Sequence, residues 1–581
     1  MQKMIAVLLI ASLTAMLTPA LTETCTVAQI PVFRETLTGE TLSLRWYDDM
    51  PSVPCLGLST YPALFLGKPM EVQNNGDGTY VFTAEGGATA VVDVNAGTLT
   101  CADFPAFTNL MGAVLPGMDN QYLDMPGFVL PDGLAYADPD PVTLDFAKYH
   151  IPLHGEADDV CLPLATLSDV FTNLAYMYVS FNGEKVYVNF DNLLDPAWQR
   201  DPDYADPIYR RADRPADLAA FAYNELCFAV DTFYGYPGCA PINDALMQRG
   251  LDGALQTFSD TSRRCRELLM SEKLGEYAAG SVILSALLED GGHTGMNFGA
   301  LYTEKPEFAD YAIDRAMADA QGGADMTAYV AYREKVALRK RLQQRRRDAL
   351  GSGHYAEKGD TAVIWFDSFM YDFDGWSSWY RGEGPKPEGD QMRHVIDGLN
   401  RAAQNPAIQN VVFDLSCNTG GSADMVVAIL SLIAEVPQFD AENRLIHRVV
   451  TQKYRVDRNF DGAFDEKDAE VRYDFRYGVL TSRLSFSCGN LMPSLMKDMG
   501  MAVLGETSGG GTCAVEMHAT PEGLAYQFSS GLGRLVNAAG EPIEEGVPVD
   551  AALDEDAFYD LIALSDAMNR AYDGPRASPG P

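Results

Sequence analysis

The sequence predicts a mixed α/β protein with a β-rich N-terminal region, and three observations carry that expectation. Short alternating apolar runs fill residues 21–205. Apolar residues at helical spacing dominate 206–355. Across 356–560, strand-like runs alternate with helix-like runs. A chain of 581 residues is too long for one compact core. It divides into a signal peptide at 1–20, a β-rich accessory region at 21–205, a helical subdomain at 206–355, a core at 356–560 and a tail at 561–581.

The first segment has Lys3, then an apolar stretch from Ile5 to Leu17, then small residues at Thr18-Pro19-Ala20. That order predicts export, with cleavage after Ala20 and release to the outside of the cell or the cell surface. The apolar stretch is short for a membrane span, and no other stretch is apolar for long enough. The formal net charge of −38 repels phosphate backbones and argues against nucleic-acid binding. The ten cysteines include no CxxC pair, which argues against a thiolate metal site.

In the accessory region, Gly78-Thr-Tyr-Val-Phe-Thr-Ala and Lys185-Val-Tyr-Val-Asn-Phe alternate as strands do. A weak repeat is visible: Asp48-Asp49 leads to Cys55-Leu56-Gly57-Leu58 and Thr60, and Asp158-Asp159 leads to Cys161-Leu162-Pro163-Leu164 and Thr166. This pair is similar to small stalk domains related to the N-terminal domain of copper amine oxidases, without a copper site. In the helical part, Asp217–Tyr223 and Tyr277–Leu288 have helical periodicity. The stretch from Tyr329 to Leu350 is strongly basic, and is expected to face solvent or to pair with an acidic part of the chain.

In the core, strands are expected at Thr361–Phe366, Val411–Leu415, Val479–Ser482 and Met501–Gly505. Helices are expected at Gln391–Ala403, Ala423–Ala434 and Asn490–Met499. The segment Thr481-Ser482-Arg483-Leu484-Ser485-Phe486-Ser487-Cys488-Gly489-Asn490 joins a strand to a helix. A serine in that place ordinarily caps the helix. It also stands at the positive end of the helix dipole, beside backbone N–H groups that no carbonyl has yet taken. Those groups can stabilise an oxyanion.

With its neighbours, this core resembles the C-terminal processing and tricorn-like serine peptidases. Four motifs follow one another in that family's order. They are Asp290-Gly291-Gly292-His293-Thr294, Asp414-Leu415-Ser416-Cys417-Asn418-Thr419-Gly420-Gly421, the Ser487 segment continued to Gly509-Gly510-Gly511, and Glu544-Glu545-Gly546-Val547-Pro548-Val549-Asp550. The resemblance implies a ClpP/crotonase-like peptidase core and a protein or peptide substrate. It implies Ser487 as nucleophile, with an oxyanion hole from the N–H of Cys488 and one of Gly420 or Gly421. One branch of the family uses a lysine where this chain has Gly509-Gly510-Gly511. Lys497 is a poor substitute, roughly 15 Å along the helix from Ser487. The tricorn-like branch uses histidine, which points to His293 as general base, with His518 as the fallback. Glu544 or Glu545 would orient the imidazole, with Glu545 favoured. No cofactor is expected for catalysis. Cys417, Cys488 and Cys513 are expected near the site, as free thiols or as one disulfide pair. The motifs depart from the family's at Ser416, Cys488 and Asn490, and in the two glycines before His293. No PDZ-like insertion is apparent between 295 and 355.

One motif stands apart. The stretch from Asp457 to Asp468 follows EF-hand spacing, with Asp457, Asn459, Asp461, Ala463 through its carbonyl, Asp465 and Asp468 as ligands, and Gly462 at the turn. Aspartate in the last position is as in dockerin-like loops. A structural calcium ion is expected there.

Overall fold

A computed structural model describes residues 24–573 apart from 35–36, 111–126, 172–176, 191–199, 212, 296–305, 321–326 and 435–437. The expected signal peptide lies outside the described residues. No helix among them is long and apolar enough to cross a membrane.

The chain is a mixed α/β protein. Its centre is a six-stranded sheet in the order Tyr355–Lys358, Thr361–Trp365, Asn410–Asp414, Arg476–Thr481, Ala502–Gly505, Ala551–Ala552. The first pair is antiparallel and the others are parallel. Parallel neighbours need crossovers, and helices Gln391–Gln404, Ala423–Ile433 and Cys488–Asp498 provide three of them. The strands read as continuous apolar runs because both faces are covered. Ala362 and Ile364 face the three crossover helices, whereas Val363 and Trp365 face Leu338 and Leu342 of the basic helix and Leu564, Ala567 and Met568 near the C-terminus. Residues 561–573, read from sequence as a tail, thus form a helix sealing the second face of the sheet.

The basic helix Thr327–Leu350 owes its place to charge as well as to Leu338 and Leu342. Arg346 is buried between Asp367 (2.6 Å) and Asp414 (3.2 Å). Arg341 and Arg345 reach Glu555, at 3.0 and 3.8 Å. The expected pairing with an acidic part of the chain is therefore with the core itself. Helices Ala216–Phe233, Asn243–Thr257, Asp260–Leu269 and Leu274–Leu287 precede it and share one hydrophobic cluster with the accessory region.

A second, antiparallel sheet runs Cys513–Ala519, Ala525–Leu535, Gln438–Asn443, Arg448–Val456, Val129–Ala135. Its last strand comes from the accessory region and pairs with Arg448–Val456, so the accessory region and the core are joined by a ladder. The accessory region also holds a seven-stranded and a five-stranded sheet. The repeated cysteine-leucine segments pair with each other: Leu162 lies opposite Leu56, Cys161 opposite Gly57 and Pro163 opposite Cys55. This register is symmetric about the leucine pair, as an internal duplication would give.

Candidate active site

Strand Arg476–Thr481 ends among the parallel strands, and the turn after it is fastened by its own polar side chains. The Ser482 hydroxyl donates to the Ser416 carbonyl (2.6 Å) and the Ser485 hydroxyl to the Leu415 carbonyl (2.7 Å). Both serines are fully buried. The Phe486 N–H donates to the Asn418 carbonyl (3.2 Å), and the Ser487 N–H to the Gly510 carbonyl (3.0 Å). These bonds hold Ser487 at φ 57°, ψ −123°, outside the regions a serine ordinarily occupies. Its side chain makes no capping bond to the helix Cys488–Asp498, and the residue is half-buried. Of the three serines in the segment, two are structural and the third is presented at a strained strand-to-helix elbow.

The loop after Asn410–Asp414 forms the opposite wall. Gly420 has φ 110° and Gly421 φ 138°. A Cβ on Gly420 would stand 2.7 Å from that of Ser487, and one on Gly421 would meet the Phe369 backbone at 2.7 Å. Only glycine fits this close approach. The Gly420 N–H donates to Asn418 Oδ1 (2.9 Å), and Asn418 is in turn held by its Nδ2 on the Phe366 carbonyl (3.1 Å). The N–H groups of Gly421 and Cys488 have no acceptor among the described residues.

His293 is 7% exposed. Its backbone N–H and that of Thr294 donate to Asp290 Oδ1 (3.0 and 2.9 Å), and the Thr294 and Ser529 hydroxyls donate to Asp290 Oδ2 (both 2.6 Å). Gln527 Nε2 donates to the His293 carbonyl (2.9 Å). This turn is thereby clipped to strand Ala525–Leu535. The imidazole packs on Phe486, the residue before Ser487, with ring centroids 4.7 Å apart. It makes no hydrogen bond to Ser487 Oγ. Burial lowers the His293 pKa, and the nearby Asp290 charge opposes that shift.

Glu544 is turned to the site and Glu545 is exposed. The Glu544 carboxylate accepts from the Thr512 N–H (2.8 Å) and from the Cys239 thiol (3.2 Å). Burial raises its pKa, the hydrogen bonds lower it, and Asp290 adds to the rise. Of the two glutamates, Glu544 rather than the Glu545 favoured from sequence is the one that other elements hold. His518 lies elsewhere. It is fully buried, with Nδ1 2.9 Å from Asp169 Oδ1 and Nε2 3.5 Å from Glu516 Oε2, so neither ring nitrogen is available to Ser487. Lys497 is also committed, 2.9 Å from Asp550.

Cys417, Cys488 and Cys513 are buried free thiols rather than a disulfide pair. Burial pushes the Cys417 and Cys488 thiols up to about 12, which keeps them protonated. The Cys488 thiol donates to the Gly421 carbonyl (3.0 Å) and so ties the loop after Asn410–Asp414 to the start of helix Cys488–Asp498. Cys239 had no signal in the sequence. It sits in a loop between two helices and meets Glu544 only through the fold.

The Asp457–Asp468 loop is folded around its own backbone. Asp457 accepts from the Tyr380 hydroxyl (2.6 Å) and from the Gly462 N–H (2.9 Å). Asp468 accepts from the N–H groups of Arg458 (2.7 Å) and Asp465 (3.0 Å). Asp461 and Asp465 instead flank Lys467, at 3.6 and 3.4 Å. The donor set is thus split between inward and outward carboxylates. Among the described residues, no three acidic, histidine or cysteine side chains are gathered to hold an ion.

Residues 361–553 match the model of peptidase family S41. No curated protein matches the chain. Among solved structures, mature CPAF complexed with lactacystin is 15% identical, with TM-score 0.27, over 38% of this chain and 55% of that one. The photosystem II D1 C-terminal processing protease is 16% identical, with TM-score 0.25, over 37% of this chain and 50% of that one. A lipoprotein from Streptococcus agalactiae is 13% identical, with TM-score 0.28, over 51% of this chain and 96% of that one. The chain thus spans about half the length of the first two, and the family match covers residues 361–553.

Proposed function

We propose that this chain, whose residues 361–553 match the model of peptidase family S41, is a processing peptidase or endopeptidase that cuts peptide bonds through an acyl-enzyme on Ser487. The observation that carries the reading is the strained backbone of Ser487, φ 57° and ψ −123°, with a side chain that does not cap its helix. Strain of this kind persists where surrounding bonds over-determine it, and it aims the hydroxyl at a substrate carbonyl.

In the proposed reaction, the Ser487 hydroxyl attacks the scissile carbonyl and His293 takes its proton. The lowered pKa of His293 supports this role, because the imidazole is neutral near pH 7 and free to accept. The tetrahedral oxyanion is received by the N–H groups of Cys488 and Gly421. The protonated imidazole then gives its proton to the leaving amine. Water repeats the sequence on the ester and frees Ser487. Glu544, held by Thr512 and Cys239, stabilises the imidazolium. His293 must turn or shift to reach Ser487 Oγ, a tightening that substrate can bring about.

That missing contact favours one alternative, a non-catalytic peptide-binding scaffold on the same frame. Hydrolysis of labelled casein by the wild type and by Ser487→Ala separates the two: a peptidase loses its activity, and a scaffold has none to lose. We also propose that the protein is exported and acts outside the cell, from the order of charge, apolar stretch and small residues at 1–20. Sequencing the N-terminus of the mature protein tests this, with residue 21 expected first.

A further inference from the structure

We infer that Cys239 is a positioning residue for this site, its thiol fixing the Glu544 carboxylate beside the Ser487 loop. The inference rests on the peptidase reading above. Cys239 belongs to the loop between helices Ala216–Phe233 and Asn243–Thr257, far from the core in sequence. That loop is bolted to the core. The Gly235 N–H donates to the Ser529 carbonyl (2.7 Å), Tyr234 bridges to Ser530, and the Arg444 guanidinium donates to the Tyr234 carbonyl (2.7 Å). Ser529 is also the residue whose hydroxyl holds Asp290, the aspartate of the His293 turn. One strand, Ala525–Leu535, therefore sets both the height of His293 and the height of Cys239.

At its end of this linkage, Cys239 supplies a side-chain donor to Glu544 Oε1 (3.2 Å), while the Thr512 N–H supplies a backbone donor to Oε2 (2.8 Å). Together with the neighbouring Gly511 N–H, these donors fix the plane of the carboxylate, and the thiol is the side-chain donor among them. The Asp290 charge opposes ionisation of Glu544, as burial does, whereas the thiol hydrogen bond favours the ionised state that the imidazolium needs. Cys239 touches neither substrate nor Ser487, and acts only through Glu544.

The test uses the full-length protein and compares the wild type with Cys239→Ala and Cys239→Ser. The readouts are the rate of Ser487 labelling by a fluorophosphonate probe from pH 5 to 9, and kcat and KM on labelled casein. Loss of one hydrogen bond to a carboxylate predicts a fall of about threefold to tenfold in labelling rate and kcat for Cys239→Ala. KM is unchanged, and the acid limb of the profile moves to higher pH because Glu544 is harder to ionise. Cys239→Ser keeps a donor and restores both. A Cys239→Ala profile identical to that of the wild type overturns the inference while leaving the peptidase reading intact. Equal impairment of both variants with a lowered melting temperature also overturns it, since it marks a structural role. A wild type that neither labels nor cleaves overturns both.

Discussion

Raising the pH from 6 to 10 should loosen the accessory region from the core through His518. This imidazole has a side chain fully removed from solvent, between Asp169 of helix Leu164–Val170 and Glu516 of strand Cys513–Ala519. Its faces stack on Phe528 and Tyr526, at 4.2 and 5.2 Å. Ser530 donates to Glu516, and Thr166 donates to Glu225 Oε2 (2.6 Å) beside Asp169. The accessory region, the helical subdomain and the core each contribute to this one buried network. Burial by itself lowers the His518 pKa, but the two carboxylates outweigh it and raise it from 6.5 to about 9. The folded value exceeds the unfolded one, so the stabilisation is complete below about pH 6.5 and is lost as pH rises through about 9. At about 1.36 kcal/mol per pH unit, that amounts to about 3 kcal/mol. Glu225, raised by burial and then by Asp169, also loses stability with rising pH, so a variant is needed to isolate the histidine. Urea denaturation midpoints at pH 6 and pH 10, for the wild type and His518→Gln, provide that comparison. The wild type should lose about 3 kcal/mol more than the variant across the interval. Equal losses would refute the assignment of a charged His518.

Two further outcomes follow from the site and from the acidic loop. Gly420→Ala should fold but label with a fluorophosphonate at least about a hundredfold more slowly, because its Cβ would crowd Ser487 beside the proposed oxyanion donors; near-normal labelling would exclude Gly420 from the site. Calcium at 457–468 is proposed from the ligand spacing, and binding must bring Asp461 and Asp465 away from Lys467. The indole of Trp379, which the Lys386 ammonium approaches to 4.3 Å and which borders Gly462, should report the change in its fluorescence on calcium titration. No change in the wild type, or the same change in Asp457→Ala, would leave the loop a metal-free turn.

The core was legible in the sequence because its signals are local. Continuous apolar runs such as Thr361–Trp365 and Asn410–Asp414 need both faces covered, and the helices between them carry regular apolar stripes. The same locality made the strand-to-helix junction at Ser487 readable, since the strand end, the helix start and the Gly509–Gly511 run lie close together in the chain. Pairings across long distances were less so. Val129–Ala135 joins the core sheet opposite Arg448–Val456, and no short-range pattern announces it. The choice between Glu544 and Glu545 turned on which side chain faces inward, a matter of one residue of register that only the packing of the loop on Gly510 and Thr512 decides. His518 stood as the fallback base in sequence because Asp169, which holds its Nδ1, comes from a distant helix that only the fold brings to it, although Glu516 lies two residues away on the same strand. Helix Leu561–Asp573 resembled a tail because its buried stripe is short: Leu564, Ala567 and Met568.

Activation of the Ser487 hydroxyl by the His293 imidazole is read directly by the second-order rate of fluorophosphonate labelling at Ser487, located by peptide mass spectrometry. The wild type should label rapidly, at a rate that rises with pH through the titration of an imidazole. In His293→Ala the rate should fall about a hundredfold or more, with that pH dependence gone. Labelling equal in rate and pH profile in the two proteins, or none at Ser487 in either, would contradict that activation.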